Sequence, residues 1–276
     1  MPARPQDLIF TLYGEYLLHR KEPIWVGSLI ALLQPFDLSE GAVRTVLSRM
    51  ARKGWLEAHR TGRHSFYDLA PKGRQLLEDG EDRIFHPSWD NPWDGSWFLI
   101  AYSIPEDVRH LRDRLRDRLA WLGFGSLGNG LWISPHDVEE QVQRVAKQLK
   151  IESHLECFQA RRVNKQDAQE LVAKCWDLAT VNQQYLAFSG RWQSELDRCS
   201  TGVPTGDVTH EECFTVRFDL IHEYRAFPLI DPYLPRSLLP ETWHGEDAAE
   251  LFNMLHDILK GPADSYVDQI LNTERS

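Results

Sequence analysis

The sequence predicts an α+β protein of several domains, and three observations support this prediction. The chain has 276 residues, which exceeds the roughly 100–150 residues most common in a single domain. Helical and strand periodicities alternate up to about residue 165, whereas the later residues are mostly helical. The segment "HPSWDNPWDGS", rich in proline, glycine and aspartate, marks a boundary. We therefore predict domains over residues 1–86, 95–165 and 166–276.

The N-terminal domain begins with two predicted helices. Leu8, Leu12 and Tyr16 recur at helical spacing within residues 7–20 and predict the first helix. The segment "IWVGSLIALLQPF" predicts a second, shorter helix that ends before its proline.

A third helix carries its start and stop signals in its own sequence. Ser39 is a favourable N-cap residue, and Gly54 suits the left-handed conformation that follows many helices. Between them an i, i+3, i+4, i+7 pattern predicts one buried stripe. The stripe consists of Val43, Val46, Leu47 and Met50.

A β-hairpin follows the third helix. The runs "WLEAHR" and "HSFYDL" alternate polar and apolar residues around the glycine-containing turn "TGR". The segment "APKGRQLLEDGEDRIF" then predicts a closing helix. Helix, short helix, cationic helix and basic hairpin together predict a winged helix-turn-helix domain.

The middle of the chain alternates strands and helices. Strand-like segments at "WFLIAYSIP", "GLWISP" and "HLECFQARRV" flank two helical segments, and a less well-defined strand lies near "GFGSL". This order predicts a ferredoxin-like βαββαβ domain. The C-terminal domain is predicted to be mostly helical, with a loop around "TGVPTGDVT" and two last helices at "AAELFNMLHDILK" and "PADSYVDQIL".

Positive charge is concentrated at one end of an acidic chain. Residues 1–77 hold 11 Lys and Arg against 7 Asp and Glu, whereas the remainder holds 20 against 34. This asymmetry favours a polyanionic partner for the N-terminal domain. We predict that duplex DNA contacts the exposed face of the third helix and the hairpin, through Arg44, Thr45, Ser48, Arg49, Arg52, Lys53, Arg60, Arg63 and His64. A solvated helix or a protein-interaction module is the alternative.

Several chemical motifs are incomplete. "GFGSLG" matches a dinucleotide-binding glycine pattern, but it follows a predicted helix and precedes a strand, which is the reverse of the required order. "HEEC" and "HEY" do not complete a zinc-binding HExxH motif. The four cysteines are too widely spaced for a CxxC metal site and are expected to be reduced. We expect no metal, no resident cofactor and no enzymatic activity.

A second candidate site lies in residues 217–243, where cations and aromatic side chains occur among prolines. Two arginines are suited to an anionic group, and the aromatic rings are suited to an apolar one. We predict a ligand site formed by His222, Tyr224, Arg225 and Arg236. A proline-braced packing core is the alternative. No apolar run is long enough to span a membrane and no secretion signal is visible, so a cytoplasmic location is expected.

Three segments of the chain carry a resemblance to a known family. They are residues 14–73, "LGFGSLGNGLWISP", and "HEYRAFPLIDPYLPRSLLPETWHG". Together they resemble the phenylacetic-acid-degradation repressor family (PaaX-like). The resemblance implies a homodimeric repressor of aromatic-acid catabolic genes that binds operator DNA. It also implies that an effector acyl-CoA, typically phenylacetyl-CoA, releases the repressor.

The resemblance further implies a central domain similar to an accessory nuclease of CRISPR systems. That nuclease family places a metal-binding aspartate near the end of its first strand. Here the strand end is followed by Ser103 and Pro105, and the first acids are Glu106 and Asp107. We therefore expect the central domain to be a scaffold or dimer surface, with a metal-dependent nuclease as the alternative.

Overall fold

A computed structural model describes residues 4–87, 89–163 and 167–273. Their contacts divide them into two compact units. The first contains residues 4–85, 187–225 and 246–273, and the second contains the described residues of 86–186 and 226–245. The domain boundary predicted between residues 165 and 166 lies outside the described residues, and the three predicted domains stay a prediction.

The first unit begins with α1 (Pro5–Leu12), which leads directly into a π-helical turn at Tyr13–Leu17. The predicted helix over residues 7–20 is therefore wrong in its last part. The chain widens into i→i+5 hydrogen bonding where Gly14 weakens the α-helical preference. Tyr13, Tyr16 and Leu17 are buried in this turn.

The second and third predicted helices, the hairpin and the closing helix of the N-terminal region are confirmed. A two-residue strand, β1 (Ile24–Trp25), precedes α2 (Val26–Leu33) and α3 (Glu40–Arg52). The hairpin comprises β2 (Leu56–Thr61) and β3 (His64–Leu69), followed by α4 (Pro71–Phe85). The strands form an antiparallel sheet in the order β1-β3-β2. The sequence did not predict β1, which is too short to show alternation.

Three long helices from the later part of the chain contribute to the first unit. They are α8 (Leu178–Thr205), which begins in the second unit, α9 (His210–Tyr224) and α10 (Gly245–Thr273). The predicted loop at "TGVPTGDVT" is shorter than expected because α8 continues to Thr205.

The prediction of two last helices is wrong, since α10 runs through Pro262. Its buried stripe keeps the same phase across the proline, with Leu255, Leu259, Ala263 and Val267 all fully buried. This packing outweighs the cost of about 3 kcal/mol for a proline inside a helix.

Aromatic rings hold the separate stretches of the first unit together. Phe36 stacks on Phe218 of α9 with ring centroids 3.9 Å apart. Tyr224 of α9 stacks on Phe252 of α10 at 4.0 Å. Each such pair adds roughly 0.5–1.5 kcal/mol beyond the burial of its apolar surface. The N-terminal helices and the C-terminal helices thus share one core.

The second unit contains a four-stranded antiparallel sheet with two helices. In chain order the elements are β4 (Ser96–Tyr102), α5 (Arg109–Trp121), β5 (Gly125–Gly128), β6 (Leu131–Ser134), α6 (Glu139–Leu149) and β7 (Leu155–Arg161). The strand order is β5-β6-β4-β7. The βαββαβ succession and the strand predicted near "GFGSL" are confirmed. A core that includes Ile100, Leu115 and Val142 lies between sheet and helices.

The helical prediction that starts near residue 166 is interrupted at Asp177. Helix α7 (Ala168–Cys175) ends two residues before it, and α8 starts one residue after it. The Asp177 carboxylate accepts hydrogen bonds from the backbone N–H of Thr180 at 3.1 Å and from its hydroxyl at 2.6 Å. Asp177 therefore acts as an N-cap that begins a new helix.

The "GFGSLG" segment has the geometry expected of a helix end and a strand. Gly123 has φ = 83° just after α5, and a Cβ there would lie 2.7 Å from the backbone oxygen of Pro232. Only glycine meets both conditions without strain. Strand β5 follows at Gly125, so the order is not that of a dinucleotide-binding turn.

Candidate nucleic-acid interface

Helix α3 has its ends fixed by local chemistry and one face fixed by burial. The backbone N–H of Ala42 donates to Ser39 Oγ at 3.3 Å, which caps the N-terminus. Lys53 is the C-cap residue, and Gly54 follows with φ = 71°. The predicted stripe is buried, with Val43, Leu47 and Met50 fully excluded from solvent. The opposite face is thereby held towards solvent.

Every predicted DNA-contacting residue of α3 lies on that exposed face or at its end. Arg44 Nε donates to Glu40 Oε1 at 2.8 Å, and Thr45 Oγ1 donates to the backbone oxygen of Gly41 at 2.7 Å. Arg49, Arg52 and Lys53 have no ion-pair partner within the part of the chain that the structure describes. These three cations remain available to an external anion.

The hairpin presents the other predicted contacts at its tip. Arg60 lies opposite Ser65, and Thr61 lies opposite His64, in the last two positions of the β2–β3 ladder. Gly62 has φ = 61°, as the tight turn requires. Arg60, Arg63 and His64 are exposed, and the His64 ring contacts Trp25 edge-on at 5.6 Å. Arg60 and Arg63 are two further cations without a described ion-pair partner.

The inner face of the hairpin is anchored on the helices. Tyr13 Oη donates to the backbone oxygen of Tyr67 at 3.2 Å, and burial raises the pKa of the Tyr13 phenol. Tyr13 therefore stays protonated and keeps this bond. On the outer face, Trp25, Phe66 and His59 form one cross-strand row. This row lines a cavity of about 1210 Å³ that Arg20, Lys21 and Leu271 also border.

The predicted ligand residues do not all lie in the same unit. His222, Tyr224 and Arg225 belong to the first unit, and Arg236 belongs to the second. His222 Nδ1 lies 2.8 Å from Thr11 Oγ1, within hydrogen-bonding distance. Burial, together with the nearby Arg225 charge, lowers the pKa of His222 to about 4. The imidazole is neutral at physiological pH and serves to join α9 to α1.

The other members of this predicted site differ widely in exposure. Tyr224 is fully buried between Phe252 and Phe188, and Arg225 is largely buried, so burial lowers its pKa. Arg236 is exposed and its guanidinium lies 3.5 Å from the Asp90 carboxylate. The Tyr224 ring thus packs between aromatic rings of α8 and α10. The ligand site stays a prediction.

A buried ionic cluster was missed by the sequence analysis. Arg217 Nη2 lies 2.5 Å from Glu15 Oε1, and Arg217 Nη1 lies 3.2 Å from Asp264 Oδ1. His256 Nε2 lies 2.8 Å from the same Glu15 oxygen. The cluster joins the π-helical turn at Tyr13–Leu17 to α9 and α10. The only signal in the sequence was an arginine that shares a helical face with Phe214, Phe218 and Ile221.

The first acidic residue after β4 is held in an ion pair. Strand β4 ends at Tyr102, and the first acid, Glu106, is bound by Arg112 at 2.7 Å. This ion pair holds the pKa of Glu106 below its usual value. Within the described ranges, no cluster of three His, Cys, Asp or Glu side chains is arranged to hold a metal ion. None of the described helices has the length and hydropathy needed to cross a bilayer.

Comparisons with known proteins match nearly the whole chain. Residues 4–73 match the family model "PaaX-like protein", residues 90–172 match "PaaX protein central Cas2-like domain", and residues 176–269 match "PaaX-like protein C-terminal domain". The chain is 35% identical over 254 residues to "Transcriptional repressor PaaX" of Escherichia coli (strain K12), covering 91% of this chain and 79% of that protein.

A solved structure has a similar fold. "Uncharacterized protein Rv0674 from Mycobacterium tuberculosis" aligns with a TM-score of 0.58 at 23% identity, covering 95% of this chain and 96% of that one. The three family models together span the predicted DNA-contacting face, the four-stranded sheet and the helices that follow it. With 35% identity to a PaaX repressor over most of its length, the chain belongs to the PaaX-like protein family.

Proposed function

We propose that this protein is a transcriptional repressor that binds operator DNA through α3 and the β2–β3 hairpin. The single observation that carries the proposal is the set of exposed cations without described ion-pair partners: Arg49, Arg52, Lys53, Arg60 and Arg63. They belong to two adjacent elements of an otherwise acidic protein. The name of the Escherichia coli relative, a transcriptional repressor, supports the same function.

The proposed binding mode is that of a winged helix-turn-helix domain. Helix α3 enters the major groove, where an arginine side chain can form two hydrogen bonds with guanine. The hairpin is the wing, and Arg60 and Arg63 bind backbone phosphate or reach the minor groove. Phosphate contacts release condensed counterions, so the affinity falls steeply with salt. Arg44 and Thr45, already bonded to Glu40 and Gly41, exchange these partners for DNA.

The proposed regulation follows from the family resemblance. The repressed genes serve aromatic-acid catabolism of the phenylacetate type, and an aryl-acyl-CoA such as phenylacetyl-CoA releases the protein from DNA. The protein acts as a homodimer, which suits operator half-sites one helical turn, about 34–36 Å, apart. The second unit, whose sheet we assign to the ferredoxin-like class, serves as a scaffold without nuclease activity.

The test measures, by fluorescence anisotropy across a salt series, how tightly the purified protein binds the DNA upstream of its own gene. We expect tight binding with a steep salt dependence, and release on addition of phenylacetyl-CoA. Binding that persists with the thioester would refute that effector and keep the repressor. Absence of binding, or magnesium-dependent cleavage of the probe, would overturn the proposed function.

A further inference from the structure

The sheet of the second unit protects one edge and leaves the other open. At one edge, β5 has only four residues, two of them glycine, and a register irregularity separates Ser126 from Gly128. Short strands and bulges of this kind prevent further strand pairing. At the other edge, β7 has seven residues in regular register with β4 and pairs with no other described strand. It contains no lysine, proline or bulge, and its two charged residues, Glu156 and Arg161, lie near its two ends.

Strand β7 is exposed on both faces. Glu156, Cys157, Phe158 and Gln159 are consecutive exposed residues, although side chains of a strand alternate between the two faces. The Phe158 side chain is 50% exposed. A regular, unpaired strand that exposes a large aromatic ring is a template for pairing with another strand.

The exposed ring continues an apolar row across the sheet. Phe158 lies opposite Leu99 of β4, which in turn lies opposite Ile133 of β6. In the next row on the same face, Ala101 lies opposite Leu131, and the Leu131 side chain is 37% exposed. Thus one apolar row runs from β6 through Leu99 to the exposed Phe158 ring at the open edge, and in the next row Glu156 of β7 lies opposite Ala101.

We propose that β7 pairs in antiparallel fashion with β7 of a second copy of this chain, about a two-fold axis at Phe158. The proposal rests on the homodimer of the proposed function and assigns its interface. A two-fold axis perpendicular to the sheet leaves corresponding faces of the two sheets on the same side. Odd-numbered residues of β7 therefore lie opposite odd-numbered residues of the second copy, and even-numbered residues lie opposite even-numbered ones. With the axis at Phe158, the two Phe158 rings meet and join the two apolar rows into one.

The same register brings unlike charges together on the helix-covered face. Leu155 then lies opposite Arg161 of the second copy, and Arg161 lies diagonally across from Cys157. Glu139, at the start of α6, is close enough to Cys157 for its charge to raise the pKa of that thiol. Arg161 is highly exposed, and its guanidinium lies 3.5 Å from the Asp94 carboxylate. In the proposed dimer Arg161 lies on the same side of the sheet as Glu139 of the second copy, and symmetry repeats this arrangement. A second copy therefore extends the apolar row at this edge and adds an arginine to the face that carries Glu139.

The first test compares two variants by sedimentation velocity of the full-length protein. Phe158→Asp places two carboxylates at the axis and is expected to produce a monomer. Met254→Asp changes a side chain of equal exposure, 50%, in α10 and should remain dimeric. Circular dichroism establishes that both variants are folded. A monomeric wild type, or a dimer that Phe158→Asp does not dissociate, would overturn the proposal.

The second test uses the register directly. In the proposed pairing Gln159 lies opposite Cys157 of the second copy, so Gln159→Cys places two thiols across the interface within reach of a disulfide. Mild oxidation should give a covalent dimer for Gln159→Cys and none for the matched variant Cys157→Ser/Gln159→Cys. Equal yields of cross-linked dimer from the two variants would contradict the register.

The outcomes separate this proposal from the proposed function. Salt-dependent DNA binding by a wild type whose dimer resists Phe158→Asp would refute the interface and keep the repressor. A dimer dissociated by Phe158→Asp, without DNA binding by the wild type, would support the interface and refute the repressor.

Discussion

Arg217 and Glu15 form an ion pair of 2.5 Å that is almost completely shielded from water, with 3% and 5% of their side chains exposed. Glu15 lies in the π-turn after α1, and Arg217 lies in the middle of α9. The guanidinium also lies over the Tyr16 ring, with its Cζ 5.1 Å from the ring centroid. The N-terminal and C-terminal helices of the first unit are therefore joined by charge as well as by apolar packing.

Removal of one member of this ion pair should destabilise the folded protein much more than removal of both members. Arg217→Met leaves the Glu15 carboxylate buried, with His256 as its remaining partner among the described residues, and we expect a decrease of about 3–5 kcal/mol in the free energy of unfolding. Arg217→Met/Glu15→Leu should recover part of this decrease, because the two almost fully buried charges of the pair are then removed together. Urea denaturation measures both values.

The surface pair of Arg191 and Glu223 provides the control for this cycle. Arg191 Nη1 lies 2.9 Å from Glu223 Oε2, but 67% of the Arg191 side chain is exposed. Arg191→Met should therefore cost only about 0–1 kcal/mol. Equal destabilisation by Arg191→Met and Arg217→Met would show that burial does not determine the strength of the Arg217 pair.

Two glycines of α4 should respond to alanine in opposite directions. A Cβ on Gly73 would lie 2.2 Å from the backbone oxygen of Trp55, whereas a Cβ on Gly80 would meet nothing within 4 Å. Gly73→Ala should destabilise the protein, since the backbone of Trp55 must move. Gly80→Ala should stabilise it by roughly 0.5–1 kcal/mol through helix propensity. Thermal unfolding of the two variants checks both signs, and a stabilised Gly73→Ala variant would contradict the close approach.

Local signals in the sequence were sufficient for α3 and the hairpin. Ser39, Gly54 and Gly62 act through backbone atoms within a few residues, so the sequence alone determines where these elements start and stop. Helix α10 was predicted as two helices because Pro262 is a strong local signal, whereas the packing of Leu259, Ala263 and Val267 that overrides it is not local.

The difference between local and long-range contacts also explains which residues of the candidate sites could be predicted from the sequence. The exposed cations of α3 were predicted from a single helical period, because one buried stripe determines the opposite face. The ligand residues were grouped by their proximity in the sequence, but the chain passes from the first unit to the second between Arg225 and Ala226. The cluster around Arg217 joins residues about 200 and 40 positions apart, Glu15 and His256, and no local pattern predicts such a contact.

The buried His222 should make the protein less stable in mild acid. Its pKa in the folded state is lowered to about 4, while an unfolded histidine has a pKa of about 6.5. The unfolded state therefore binds the proton first, and stability falls as the pH decreases from about 6.5 towards 4. With a discount for its partial exposure, the destabilisation should be about 1–2 kcal/mol.

His222→Gln tests this assignment because glutamine can still hydrogen-bond to Thr11 but does not titrate. The difference between the urea midpoints of wild type and variant should change between pH 6.5 and 5, where most carboxylates are still ionised. A difference that is independent of pH in this window would show that His222 does not control the acid response.

The salt dependence of DNA binding should identify which cations bind phosphate. Arg52→Gln and Arg63→Gln each remove an exposed charge without a described ion-pair partner, and each should lower the slope of log K against log salt by about 0.9 for every phosphate that the variant no longer neutralises. If Arg49 contacts a base, Arg49→Ala should instead weaken the binding free energy for the operator by about 1–3 kcal/mol and change that for unrelated DNA little. Arg144→Gln, an exposed cation of α6, is the charge-matched control and should leave both slope and affinity unchanged. If Arg144→Gln weakens binding as much as Arg52→Gln, net charge rather than the face of α3 controls the affinity.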